Sequence, residues 1–268
     1  MALDESHNNA HTVGGRYRPF AEFAASDGFR VGPHLGPLTA ESLAEVDILV
    51  TANARAPEGS SSAFPEAEVA LLEKWVHDGG ALLLIADHMP AAGYSADLAA
   101  AFGLQWADGF AMVDGQGGPY TFRREAGTLA AHPITDGRGP EERVDYVKSF
   151  TGSAFRAPKG ASPLMLLGPG VIFLQPDVPW EFDESTPRFD AEGWLQGAAF
   201  THGEGRVAAF GEATMFTSQE AGPRNHRVVI GLGSEGAEQN PRLLLNTLRW
   251  LAGADEGEAL ESKQGDGE

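Results

Sequence analysis

The sequence predicts an α/β protein with a Rossmann-like (flavodoxin-like) architecture: a mostly parallel sheet with helices on both faces. Three observations lead there. Residues 46–51 and 81–86 are short, branched, apolar runs, the pattern of strands buried on both faces. Amphipathic helical segments separate such runs, and alternation at this spacing implies right-handed βαβ crossovers and parallel pairing. A closing amphipathic helix spans Asn240 to Leu251, with Leu244, Leu248 and Leu251 on the face expected to be buried.

Taken in order, a strand stub at residues 2–4 opens into a polar loop, Glu5-Ser6-His7-Asn8-Asn9-Ala10-His11-Thr12. A helix is expected over 17–25, with Phe20, Phe23 and Ala24 on one face and a stop at Asp27-Gly28. Residues 29–31 read as a second strand and 38–44 as a short helix beginning near Thr39. After strand 46–51 comes a loop rich in Ser, Pro and Gly over 53–62, then a helix over 65–77 with Val69, Leu72, Trp75 and Val76 at helical spacing. Strand 81–86 feeds Asp87-His88-Met89-Pro90 and a helix through Ala101. Residues 104–187 are irregular, with strand signals at 144–147 and 164–167, and read as an elaboration of the same sheet. Strands over 194–200 and 206–210 pair around the turn His202-Gly203-Glu204-Gly205. The expected organisation is one domain over 1–253 and an acidic, solvated tail over 254–268.

Composition narrows the function classes. A net charge of −19 argues against nucleic acid or an anionic membrane surface, which need a basic footprint. No apolar run approaches the ~18 residues of a membrane span. With no cysteine, disulfides, thiolate metal sites and a cysteine nucleophile are excluded. No signal peptide is visible. The shortness of the first strand fits a removed upstream segment with an export signal, and a native cytoplasmic start fits equally well. The expected partner is a small-molecule substrate, with no nucleotide cofactor; the sequence leaves oligomeric state open.

The chain resembles the class I glutamine amidotransferase-like superfamily, within an uncharacterised bacterial branch related to gliding-motility and intraflagellar-transport-type domains. The likeness lies in His7-Asn8-Asn9-Ala10-His11-Thr12 with Gly15-Arg16-Tyr17, in Leu84 to Pro90, in His132-Pro133-Ile134-Thr135, in Gly193 to Ala198, and in Gly205-Arg206-Val207 through Phe216. True amidotransferases carry a nucleophilic cysteine at the turn after a central strand. Here that turn holds Asp87 and His88, so the resemblance implies the fold and excludes thioester glutamine hydrolysis.

In open parallel sheets ligands bind outside the carboxyl ends of the strands. Four strand exits deliver polar groups to that edge: His7, Asn8, Asn9 and His11; Asn53; Asp87 and His88; and Glu212. Simpler roles compete at each. Asp87 suits a helix cap, Asn8 and Asn9 suit turns, and His132 precedes a proline in a turn-like context. His34, His77 and His202 read as surface residues, and His226 is a candidate flank. The first hypothesis is a metal-assisted hydrolase, with His7, His11, His88 and Asp87 as ligands to Zn²⁺ or another divalent ion and Glu212 as general base. The second is metal-free hydrolysis, with His88 or His7 as general base, Asp87 or Glu212 orienting it or serving as acid or nucleophile, and Asn8, Asn9, Asn53 and Arg16 binding substrate. Ser149 and Ser153 are possible hydroxyl nucleophiles in that scheme. Arg16, Arg18 and Arg224 would suit a small anion. The substrate would be a small ester, lactone, phosphoester or glycoside. The alternative is a non-catalytic ligand- or protein-binding module, to which the five tryptophans could lend stacking surface.

Overall fold

A computed structural model describes residues 1–117, 120–222 and 225–254; of the anticipated tail over 254–268, residues 255–268 lie outside the described residues, as does Arg224. Strand β1 (Ala2–Asp4), helix α1 (Arg18–Ser26), strand β2 (Gly32–His34), helix α2 (Ala40–Leu43), strand β3 (Ile48–Ala52), helix α3 (Glu66–His77) and strand β4 (Ala81–Ile85) form the first half. They build a nine-stranded sheet in the order β2-β1-β3-β4, continued by Gly205–Phe210, Leu195–His202, Ala154–Arg156 and Gln105–Ala107, with Ser162–Leu166 branching from Leu195–His202. The pairings from β2 through Gly205–Phe210 are all parallel. Following the antiparallel pairings outward, only Leu195–His202 and Gln105–Ala107 run against the other seven.

Strand alternation divides the core into two layers. Leu3, Val50, Leu83, Ile85, Ala208 and Phe210 face a cluster that includes Phe20 and Ala24 of α1 and Leu244 and Leu248 of the closing helix. Leu49, Leu82, Leu84, Val207 and Ala209 face Leu43, Leu72 and Val76 of α2 and α3 on the opposite side. Helices therefore cover both faces. Helix α3 follows Pro65, has Glu66 and Glu68 in its first turn and Lys74 and His77 in its last, so its charges oppose the helix dipole. Gly205 is required where the hairpin of Leu195–His202 and Gly205–Phe210 meets the end of α3: a Cβ there would stand 2.0 Å from the Val76 carbonyl oxygen.

Several expected boundaries move. Strand β2 lies three residues later than expected, because its register pairs Gly32 with Ala2, while Phe29 and Val31 pack against the core instead. Pro33 is tolerated because β2 is an edge. Phe23, expected on the buried face of α1, is 36% exposed. The helix after Pro90 breaks at Ser95 into Ala91–Tyr94 and Ala96–Ala101. The middle only partly extends the main sheet: Phe110–Val113, Val171–Leu174 and Arg188–Asp190 form a separate three-stranded sheet. Tyr120–Arg123 pairs with Tyr146–Ser149, and a further hairpin joins Ser218–Ala221 to Val228–Gly231. Asn240–Leu251 is helical with Leu244, Leu248 and Leu251 buried.

Candidate functional site

Register brings the strand exits level. Ala52 and Phe210 both stand opposite Ile85, so Asn53, Ala86 and Gly211 leave the sheet side by side. At the centre are two buried carboxyl groups on neighbouring exits. Asp87 Oδ1 accepts the His88 amide at 2.7 Å. Glu212 accepts the Thr214 amide at Oε1 and the Met215 amide at Oε2, both at 2.7 Å. Burial raises the pKa of each. The Asp87 charge adds to the rise at Glu212, whereas at Asp87 the neighbouring His88 and the backbone amides of His88 and Ala213 pull the other way. Glu212 is pushed furthest, by burial and by the Asp87 charge together. The backbone closes tightly over Glu212: Gly152, at φ 132°, lies where a Cβ would stand 3.1 Å from the Glu212 Cβ.

Asn53 ties the pair to the loop after β1. In the left-handed region at φ 51°, it accepts the Asp87 amide at 2.8 Å through Oδ1 and donates from Nδ2 to His11 Nε2 at 3.0 Å. His11 stacks on Tyr17 at 4.7 Å, and Tyr17 on Phe20 at 5.1 Å. Burial pushes the His11 imidazole down to about 3, aided by the charges of Arg16 and Arg55. It is therefore neutral; since Nε2 accepts from Asn53, the proton belongs on Nδ1, which is buried without a partner. Burial and the two carboxyls hold the Tyr17 phenol well above its usual range, and its hydroxyl donates to the Ala213 carbonyl at 3.3 Å.

His88 is half-buried. Its Nδ1 donates to the Met89 carbonyl at 2.7 Å, which leaves Nε2 with its lone pair and no partner among the described residues. The ring stacks on Phe110 at 4.6 Å and meets Trp180 edge-on at 4.7 Å. His7 has no such freedom. Nδ1 faces Asp4 Oδ2 at 2.9 Å and Nε2 faces Glu68 Oε2 at 3.1 Å, beside the ring of Phe64. Burial opposes a charge on His7, yet the two carboxylates outweigh it and raise its pKa, while the His7 contacts hold Asp4 low despite its burial. Ser6, His7, Asn8 and Glu68 line a cleft of about 330 Å³ between the loops after β1, β2 and β3.

The anticipated metal ligands do not converge. His7 is taken up by two carboxylates, His11 by Asn53, and His88 by its own turn. Among the described residues no group of three or more His, Asp or Glu is arranged to hold a metal ion. Asn9 is a turn residue, accepting the His7 amide and donating to the Ala52 carbonyl. Asn8, at φ 49°, and Arg16 remain exposed. Asp87 caps no helix: the helix beyond begins at Pro90 without a side-chain cap. Ser149 donates to Gln196, and Ser153 donates to the Ala86 carbonyl and lies beside the Trp106 indole N–H. Neither has a histidine among its hydrogen-bond partners in the described residues. His132 is a helix cap, and His226 is exposed. His34, expected at the surface, is buried and meets Ser42 at 2.9 Å. Sequence reasoning missed Asp4 and Glu68, and it named Tyr17 only within the resemblance and Trp180 only as one of five stacking candidates. An aspartate inside an apolar strand stub was the one available signal, for Asp4.

No protein family matches the sequence, and no curated protein does. Solved structures do share the fold. The mmIFT52 N-terminal domain superposes with a TM-score of 0.65 at 14% identity, over 94% of this chain and 97% of that domain. A cytoplasmic protein of Salmonella typhimurium LT2 gives 0.53 at 14% identity, over 93% and 98%. The β-galactosidase of Bacillus circulans sp. alkalophilus gives 0.50 at 8% identity, over 96% of this chain and 31% of the enzyme. What fold and site define is thus a class: a mixed α/β protein with a large sheet and a polar cluster at the carboxyl edge. The first of these structures is a domain of the type the sequence resemblance pointed to.

Proposed function

We propose that this edge is the active site of a metal-free hydrolase acting on a small ester, lactone, phosphoester or glycoside. The observation that carries the reading is His88, its Nδ1–H fixed and its Nε2 uncommitted, beside the buried Asp87–Glu212 pair. In this scheme Nε2 takes a proton from water as the water oxygen bonds to the electrophilic carbon or phosphorus. The imidazolium then returns that proton to the leaving oxygen as its bond breaks. Asp87, whose carboxyl interacts favourably with a charge on the neighbouring His88, stabilises the imidazolium. Asp87 and Glu212 act through His88, since their burial keeps them from substrate. Asn8 and Arg16, both exposed, are the groups free to hold substrate. The reading retains a flavodoxin-like, class I glutamine amidotransferase-like assignment. It is supported by the parallel order β2-β1-β3-β4 followed by Gly205–Phe210, and by the place of Asp87 and His88 at the turn after β4.

The test compares wild type with H88Q on nitrophenyl esters, phosphoesters and glycosides, with folding checked by circular dichroism. We expect hydrolysis of at least one class and a loss of about a hundredfold or more in H88Q. Full activity in H88Q, or none in wild type across the panel, removes the reading. The second reading is a non-catalytic ligand- or protein-binding module. The burial of His11, Asp87 and Glu212 favours it, because groups sealed from solvent meet no substrate.

A further inference from the structure

Helix α1, which follows β1, packs on one face of the sheet, and α3, which follows β3, packs on the other. Strands β1 and β3 are neighbours in the order β2-β1-β3-β4, so the chain leaves them in opposite directions. Diverging exits open a crevice at the carboxyl edge, the place where open α/β sheets take up ligands. The cleft of about 330 Å³ lies there: Ser6, His7 and Asn8 line it from the loop after β1, and Pro57 and Ala63 from the loop after β3. Its walls are preformed. The Arg55 amide donates to the His7 carbonyl at 2.8 Å, and the Ala10 amide donates to the Asn53 carbonyl at 3.2 Å, so each loop holds the other.

The lining decides the kind of ligand. Pro37, Pro57, Ala63 and Pro65 give it apolar walls. The His7 ring has nothing left to offer, because both its nitrogens face carboxylates. Glu68 does. Its side chain is only 13% exposed, and Oε2 is taken by His7 and by the Leu38 amide at 3.1 Å. Oε1 has no hydrogen-bond partner among the described residues. A carboxylate oxygen held rigidly, stripped of most of its water and reached by no protein donor, requires a donor from outside. Charge selects that donor. Asp4 and Glu68 stand against one imidazolium, which leaves an excess of one negative charge, and none of the lining residues is Lys or Arg. Arg55 is exposed and outside the lining. An anion would be repelled, and a neutral hydroxyl would leave the charge uncompensated. A protonated amine supplies both the donor and the charge.

We propose that this cleft binds a small organic amine in its protonated form, with the ammonium group on Glu68 Oε1 and the apolar frame against Pro37, Pro57 and Pro65. The proposal stands apart from the hydrolase reading and uses none of its groups. The probe is isobutylamine, measured by isothermal titration at low salt against isobutanol, which keeps the frame and a donor without the charge. The amine is expected to saturate the protein at millimolar concentration and to bind at least about tenfold tighter than the alcohol. In amide NMR spectra of the wild type, the peaks of Ser6, Asn8 and Gly36 should move and level off over the same range. Diffuse attraction to a chain of net charge −19 would instead move many peaks without saturation. E68Q, with folding checked by circular dichroism, should lose about tenfold in amine affinity. Equal binding of amine and alcohol, no saturable amine binding at tens of millimolar, NMR shifts that spare Ser6, Asn8 and Gly36, or full affinity in E68Q each overturns the proposal. Should E68Q fail to fold, the first three outcomes decide it on the wild type alone.

Discussion

The loop after β1 holds two histidines four residues apart, and its two ends treat an imidazole in opposite ways. At one end His7 lies between Asp4 and Glu68, and its pKa is raised. At the other end His11 is stacked on Tyr17 with Arg16 and Arg55 nearby, and is pushed down to about 3. Both are buried, so burial does not separate them. Partner charge does: two carboxylates outweigh desolvation at His7, and two guanidiniums reinforce it at His11. Each ring then holds one end of the loop, His7 to β1 and α3, His11 to the Asn53 exit of β3. Two histidines offered as ligands to one metal thus serve as two separate anchors.

The sharpest way to break this contrast is to remove the carboxylate under His7. In D4N the imidazole loses its fully buried counter-ion, and breaking such a pair costs about 3 kcal/mol. The loss should appear in urea unfolding near pH 6. The His7 pKa is raised on folding, so its contribution is complete below its unfolded value of about 6.5 and is lost as pH rises through the folded value. The Asp4 pKa is lowered, so its contribution is present above about 4 and is lost as pH falls through the folded value. The D4N deficit should therefore be widest between these limits and narrow on either side. A deficit under about 1 kcal/mol, flat with pH, would mean His7 is not held as a cation.

His11 makes the opposite demand. Its pKa is lowered on folding, so the folded state binds fewer protons, and stability is lost as pH falls below about 6.5. At pH 5 that amounts to about 1.5 pH units at 1.36 kcal/mol each, roughly 2 kcal/mol. H11F keeps a ring to stack on Tyr17 and has nothing to titrate. Relative to H11F, wild type should lose about 2 kcal/mol between pH 7.5 and pH 5, read from unfolding curves at both values. An unchanged gap would put the His11 imidazole in contact with solvent.

How much of this was legible varies by link. Strands β3 and β4 announced themselves as short apolar runs, and Leu244, Leu248 and Leu251 gave the closing helix to the residue. From those strands the edge followed, and Asn53, Asp87 and Glu212 do meet there. Strand β2 was misplaced because Gly32 and Pro33 carry no strand propensity, and pairing with β1 overrode that local signal. The partners were not legible. Glu68 reaches His7 across 61 residues, and Trp180 reaches His88 from a distant loop. His34 read as a surface residue because only the packing of β2 beside α2 buries it.

The smallest effect concerns the residue that links His11 to the carboxyl pair. Asn53 combines a left-handed backbone with two side-chain hydrogen bonds, one to the Asp87 amide and one to His11. N53G and N53A lose the same two bonds and differ only in what the backbone asks of them. Glycine takes φ 51° freely, whereas alanine pays roughly 1 kcal/mol there. That outweighs the few tenths alanine gains by restricting the unfolded chain. N53A should therefore unfold at lower urea than N53G, by about 1 kcal/mol. If alanine is the more stable of the two, the sheet edge does not impose the turn, and the left-handed geometry exists only because the asparagine bonds hold it. That result would move the anchor of His11 from the backbone of β3 to a single amide side chain.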